Sequence, residues 1–200
     1  MSKLTTALQH SLTLKNLNSV ASKLPYLEKP NHYTKVYESL INTAATIKKD
    51  FHSLSAIAHM AYGWMPTIVE TSFLDHDMDI WEIAASGEIS NQFFSRLKNC
   101  INNSVVGASK FLHFINPQAY AIWDSRVYAA VTNKKPYNHN VNKVTNCVEY
   151  MLALQEFINQ NEVSPLRRML IEKKYLLSEV SDTRVVESLL FYKGTINNNT

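Results

Sequence analysis

Apolar residues recur at spacings of three and four along almost the whole chain, while strict alternation of apolar and polar residues is scarce. That rhythm turns one face of a helix, not one face of a strand, toward a core. Only 4 Gly and 6 Pro interrupt the 200 residues, so the chain has few points at which it must turn sharply. The expected fold class is all-α. With 46% hydrophobic and 18% charged residues, the sequence supports one helical globular domain over residues 1–200. Two lobes on a shared core are the other arrangement, one of about residues 33–131 and a second of 1–32 with 132–195.

The elements follow from caps and breakers. A first helix carries Leu4, Leu8 and Leu12, and Pro25 to Pro30 (PYLEKP) reads as a linker before a helix from about Tyr33 to Lys49. A helix with Leu54, Ile57, Ala58 and Ala61 on one side stops at Gly63-Trp64-Met65-Pro66. Asp79 with Glu82 fits an N-cap and its partner carboxylate, and Gly87 a C-terminal stop. Helices over Ser90–Ile101 and Ser104–Ile115 are separated only by Asn102-Asn103, a pair at ease in left-handed conformations, so they form a tight hairpin. A short helix Ser125–Val131, a polar loop over Thr132–Asn142, a long helix with Val144, Val148, Met151 and Ile158, and two closing helices near Pro165–Leu177 and Asp182–Tyr192 complete the reading, with TINNNT frayed.

Cys100 and Cys147 lie within helical patterns without metal-ligand spacing, as expected of buried thiols in a reducing cell. No metal and no cofactor is expected. Asp75-His76-Asp77-Met78-Asp79 opens like a calcium loop, but Ile80 and Ser86 stand where that loop needs Gly and Glu. His10, His32, His52, His59 and His139 read as surface or satisfied core residues. No apolar run reaches membrane-spanning length and the N-terminus is too polar for a signal core, so the expectation is a soluble, cytoplasmic monomer with no membrane partner.

The net charge of +3 permits an anionic partner without demanding one. Its distribution says more. Arg96, Lys98, Lys110, Arg126, Lys134, Lys135 and Lys143 fall in an interval whose single acid is Asp124. A second basic group is Arg167, Arg168, Lys173 and Lys174. In Ser104 to Val131 a buried-looking helix leads through Asn116-Pro117 to Ile122-Trp123-Asp124-Ser125-Arg126-Val127. An apolar run thus delivers one carboxylate to a helix start, where backbone amides and the dipole can hold it ionised. A routine N-cap and a poised catalytic acid are both open to Asp124.

The hairpin, the segment Val106-Gly107-Ala108-Ser109-Lys110-Phe111-Leu112 and the run into Asp124 resemble the core of the helix-hairpin-helix DNA glycosylase superfamily. The pattern is similar to the archaeal-type 8-oxoguanine glycosylases, and the interval of 18 residues from position 106 to Asp124 matches. The resemblance covers about a quarter of the chain. It implies a two-lobed helical fold, DNA as partner with the target base flipped out, and Asp124 as the catalytic acid. In it, Asn102, Asn103 and Ser104 would stand at the phosphate-binding hairpin, although the Gly-rich sequence of the family is absent. Val106 occupies the place of the Schiff-base lysine, so a monofunctional mechanism is implied.

Around Asp124, Lys110 reads as a phosphate contact or surface charge, with a displaced nucleophile as the alternative, and its face also carries His113. Arg126 is expected to pair with Asp124 or a DNA phosphate. Tyr62, Trp64, Tyr120 and Trp123 are aromatic candidates for the base pocket or wedge, each also a candidate core residue. The functional expectation is a monofunctional DNA glycosylase acting on a damaged or modified base, in repair or against modified viral DNA. The alternatives are an inactive DNA-binding module on that scaffold and, more weakly, an all-α protein-interaction domain.

Overall fold

The computed structural model describes residues 3–63, 71, 79–177 and 180–198. Among them every regular element is an α-helix: α1 Lys3–Ser11, α2 Leu14–Lys23, α3 His32–Thr46, α4 Phe51–Gly63, α5 Ile80–Ser86, α6 Asn91–Cys100, α7 Val105–Ile115, α8 Ser125–Thr132, α9 Asn138–Val141, α10 Val144–Gln160, α11 Ser164–Glu172 and α12 Asp182–Asn198. No described helix is long and apolar enough to cross a membrane. The turn holding Trp64, and most of the calcium-like stretch, lie outside the described residues.

Local chemistry sets the boundaries. Ser90, Ser104 and Asp79 each accept a backbone N–H from the first turn of the helix they precede, as N-caps do. Gly87 ends α5 in the left-handed region with φ 75°. Asn102 and Asn103 both take positive φ, 50° and 47°, so two residues suffice to reverse the chain between α6 and α7.

Several elements depart from the sequence expectation, and the helix expected near Pro165–Leu177 stops at Glu172. The N-terminal region is two helices, because Thr13 caps a second one through Asn16 N–H, and Leu17 and Ala21 bury its inner face. The polar loop after α8 contains the single turn α9. The last helix runs on past Tyr192 through Asn198, because its Gly194 lies against the backbone of α8. The PYLEKP segment is docked: the Leu27 amide donates to Lys173 O at 3.3 Å, and Leu24 is buried.

The buried apolar residues, from Leu8 to Leu190, form one contiguous cluster. α7 runs through its middle, with Val105, Ala108, Phe111, Leu112 and Phe114 all buried. α8 packs along α12, and α7 contacts α3, α4, α5, α6 and α10.

Candidate active site

The run Tyr120-Ala121-Ile122-Trp123 has no helical ladder of its own, and its polar groups are held one by one. His113 Nδ1 lies 2.7 Å from Tyr120 O, and its Nε2 lies 2.7 Å from the Tyr37 hydroxyl. A carbonyl only accepts, so Nδ1 carries the proton and Nε2 accepts from Tyr37. Burial draws the His113 imidazole down to about 3, helped by the Arg184 charge, which fixes it as this neutral tautomer. Ser109 Oγ accepts from Trp123 N–H at 3.1 Å. Its own hydroxyl proton is directed at Val106 O, 2.8 Å away, or Trp123 O, 3.2 Å away.

The run therefore delivers Asp124 to one place. Asp124 is 8% exposed, and its Oδ1 accepts from Arg126 N–H and Val127 N–H, both at 2.9 Å. Both cap bonds fall on Oδ1, and Oδ2 takes neither of them. The capping role is observed, and it leaves one carboxylate oxygen for other chemistry.

Lys110 is also buried, 8% exposed, one turn beyond Val106 on α7. It is not the surface charge that its type suggests. Burial lowers its ammonium to about 8, Asp124 and then Glu187 oppose that fall, and Arg126 and Arg184 add to it. Lys110 thus sits within the fields of two carboxylates from two different helices.

The second carboxylate went unnoticed in the sequence. Glu187 of α12 is 1% exposed and ion-paired to Arg184 one turn earlier. Burial lifts its carboxyl to about 7; Arg184 opposes the rise, Asp124 adds to it and Lys110 counters it. The Arg184 guanidinium lies 4.3 Å from the centroid of Tyr37, linking this pair to the Tyr37–His113 bond. Tyr150 of α10 is buried with its hydroxyl unpaired among the described residues, and it feels both Glu187 and Asp124. A sequence signal existed: Glu187 stands within Val185-Val186-Glu187-Ser188-Leu189-Leu190, where a solvated acid is out of place.

The aromatic candidates divide. Tyr120 and Trp123 are both fully buried and serve the core, so neither offers an open face to a base. Trp123 donates Nε1–H to Val141 O at 2.8 Å and packs 5.2 Å from Tyr150, while Tyr120 donates its hydroxyl to Glu88 O at 3.0 Å. Tyr62 is buried against Gly107.

At the hairpin, Asn102 and Asn103 are exposed and Ser104 half-buried. Two of the first amides of α7 are already used: Val105 N–H donates to Asn142 Oδ1 at 2.8 Å and Gly107 N–H to Ser104 Oγ at 3.0 Å. Arg126 is exposed, and its guanidinium rests 4.8 Å from the Phe191 ring centroid instead of on Asp124. Lys134, Lys135 and Lys143 are exposed as well. In the other basic group Arg167 is paired to Asp182 and Lys173 is buried against α2, while Arg168 and Lys174 are exposed. Cys100 and Cys147 are buried and are not joined in a disulfide. His10, His32, His52, His59 and His139 are exposed, and no group of potential metal ligands occurs among the described residues.

Comparison with protein-family models, with characterised proteins and with solved structures finds no match to this chain.

Proposed function

We propose that this chain is a monofunctional DNA glycosylase that hydrolyses the N-glycosidic bond of a damaged or modified base. The observation that carries the reading is the placement of Asp124. Its carboxylate is fixed at the start of α8 by two backbone amides through a single oxygen, and its charge is felt by the buried Lys110. Departure of a base builds oxocarbenium character on the sugar, and a fixed carboxylate stabilises that charge and takes a proton from the attacking water. Water forms the new bond to C1′, and the bonding pair leaves with the base nitrogen. Val106 has no amine, so hydrolysis does not pass through a Schiff base at that position. Arg126 and the exposed lysines supply contacts for phosphates.

The test is abasic-site formation, read with an aldehyde-reactive probe, on DNAs carrying oxidised, deaminated, alkylated and phage-type modified bases. Wild type should generate aldehydes without strand cleavage, and Asp124→Asn should not. The competing reading is a DNA-binding module without chemistry, favoured by the full burial of Tyr120 and Trp123, which leaves neither open to hold a flipped base. In that case binding falls with salt as phosphate contacts require, and neither protein releases a base from any DNA it binds.

A further inference from the structure

After α8 the chain runs along the surface. Over residues 133–142 only Val141 is buried, so the other side chains of this stretch do not fill the interior. Asn133 closes the helix that Asp124 opens, taking a left-handed φ of 52° and returning its N–H to Ala129 O. Lys134, Lys135, Tyr137, His139 and Lys143 follow, all exposed. No acid stands between Asp124 and Glu149 in the sequence, and none of the three lysines is ion-paired among the described residues.

Side chains two residues apart on a helix do not face each other. Those of Tyr137 and His139 do, because Tyr137 is the extended N-cap of α9, with φ −80° and ψ 143°. Their rings stack with centroids 5.9 Å apart and planes 17° from parallel, and the Lys135 ammonium lies 5.7 Å from the Tyr137 centroid. Tyr137 still remains 54% exposed. A flat aromatic face flanked by cations is thus held open to solvent.

The ground beneath it is fixed. Asn140 O accepts from Asn146 Nδ2 of α10 at 2.9 Å, and Val141 O accepts from Trp123 Nε1–H at 2.8 Å. Asn142 bonds twice to the hairpin, donating Nδ2–H to Asn103 O at 3.0 Å and accepting from Val105 N–H at 2.8 Å. The segment is therefore tied to the exposed hairpin and to the residue immediately before Asp124. The eight residues of α8 that separate its start from Asp124 rise about 12 Å, which is about three to four stacked nucleotides.

We propose that Lys134, Lys135, Tyr137, His139 and Lys143 form a docking ledge for single-stranded DNA, with a base stacked on the Tyr137–His139 pair and phosphates on the lysines. Unpaired cations select a polyanion, and an open ring selects an unstacked base. A duplex offers the charge but keeps its base faces covered, and an acidic peptide offers the charge without the rings. The choice of DNA rests on the glycosylase reading, in which the ledge holds the strand beside the base presented to Asp124. Because the anchors already order this segment, binding costs little further ordering.

The experiment is fluorescence anisotropy of a labelled, undamaged oligothymidine of about ten nucleotides, titrated with the full-length protein at several salt concentrations. Wild type should bind the single strand about tenfold or more tightly than the same strand annealed to its complement. Tyr137→Ala should weaken binding of the single strand about tenfold with an unchanged salt slope, and Tyr137→Phe, which keeps the ring, should stay near wild type. Lys134→Gln and Lys135→Gln should each lower the salt slope by about 0.7. These side chains are exposed, so thermal unfolding should be the same for all the variants. Equal affinity for strand and duplex, or a folded Tyr137→Ala that binds as wild type does, overturns the proposal. Tighter binding of polyglutamate or of oligouridine overturns it too, reassigning the ledge to an acidic protein or to RNA. The strand carries no damaged base, so this titration and the aldehyde assay can fail separately.

Discussion

The Ser109 hydroxyl lies on the backbone of Trp123, accepting its N–H at 3.1 Å and standing 3.2 Å from its carbonyl. One side chain of α7 thereby holds the residue immediately before Asp124. Ser109→Ala leaves Trp123 N–H buried without its partner, at a cost of about 1 to 3 kcal/mol. The variant should unfold at lower denaturant with unchanged slope. If Asp124 acts in base release, activity should fall by more than the stability loss accounts for, because the carboxylate is no longer registered against α7.

Asp124 has a capping role and a proposed chemical role, and two substitutions separate them. Asp124→Asn keeps an oxygen for the amides of Arg126 and Val127, so its stability should stay within about 0.5 kcal/mol of wild type. Asp124→Ala loses the cap and should cost about 1 to 2 kcal/mol. Base release should vanish in both. Thermal unfolding beside the aldehyde assay makes the separation, and residual activity in Asp124→Asn would sink the catalytic role.

How much of this was legible in the sequence depended on range. The caps Asp79, Ser90, Ser104 and Asp124, the Asn102-Asn103 reversal and the Gly87 stop are decided within a few residues, and they were readable there. The split of the N-terminus at Thr13 was hidden because Leu12 and Leu14 continue the apolar pattern across the break. The extension of α12 through Gly194 and an Asn-rich tail runs against helix propensity, and packing on α8 overrides it. Lys110 and Glu187 were misread or missed for one reason. Their burial is created by helices remote in sequence, and the apolar run from Val185 to Leu190 around Glu187 is only a local hint of it.

The contact of α8 with α12 makes Gly194 the less replaceable of two helical glycines. A Cβ at Gly194 would meet backbone, lying 2.0 Å from Arg126 O and 2.6 Å from Arg126 C, and neither helix can give way alone. A Cβ at Gly107 would meet the Tyr62 hydroxyl at 2.1 Å, the far end of a side chain that can tilt. Gly194→Ala should therefore cost about 3 kcal/mol and Gly107→Ala about 1 kcal/mol by denaturant unfolding. Equal costs would mean that the two helices separate freely.

His113 predicts an acid-side loss of stability. Its imidazole is lowered from 6.5 to about 3, so the folded protein binds fewer protons than the unfolded chain across that range. The stabilisation is present in full above pH 6.5 and is lost as the pH falls toward 3. Glu187, raised from 4.5 to about 7, acts the other way, favouring the fold below 4.5 and losing that contribution as the pH rises through 7. Where the windows overlap, the two slopes oppose each other. His113→Gln, which does not titrate, should lower stability at neutral pH but flatten its decline toward about pH 4. Parallel curves for the two proteins would show that His113 is not the group responsible.

Lys173, just after α11, performs a structural task. Its Nζ donates to Ala21 O, Ser22 O and Leu24 O at 2.8, 2.9 and 2.6 Å, closing the carbonyl end of α2 from the end of α11. Those carbonyls belong to the last turn of α2 and its C-cap Leu24, where the helix offers no later amide. An ammonium can aim its protons at three acceptors, whereas the flat guanidinium of arginine cannot converge on them. Lys173→Met preserves the apolar stem and leaves the carbonyls unpaired, so it should cost about 3 kcal/mol. Lys173→Arg should recover only part of that. The loss should also speed amide hydrogen exchange in α2 more than in α7, because only α2 loses its closing contact. Uniform acceleration across both helices would instead mean that Lys173 stabilises the fold as a whole.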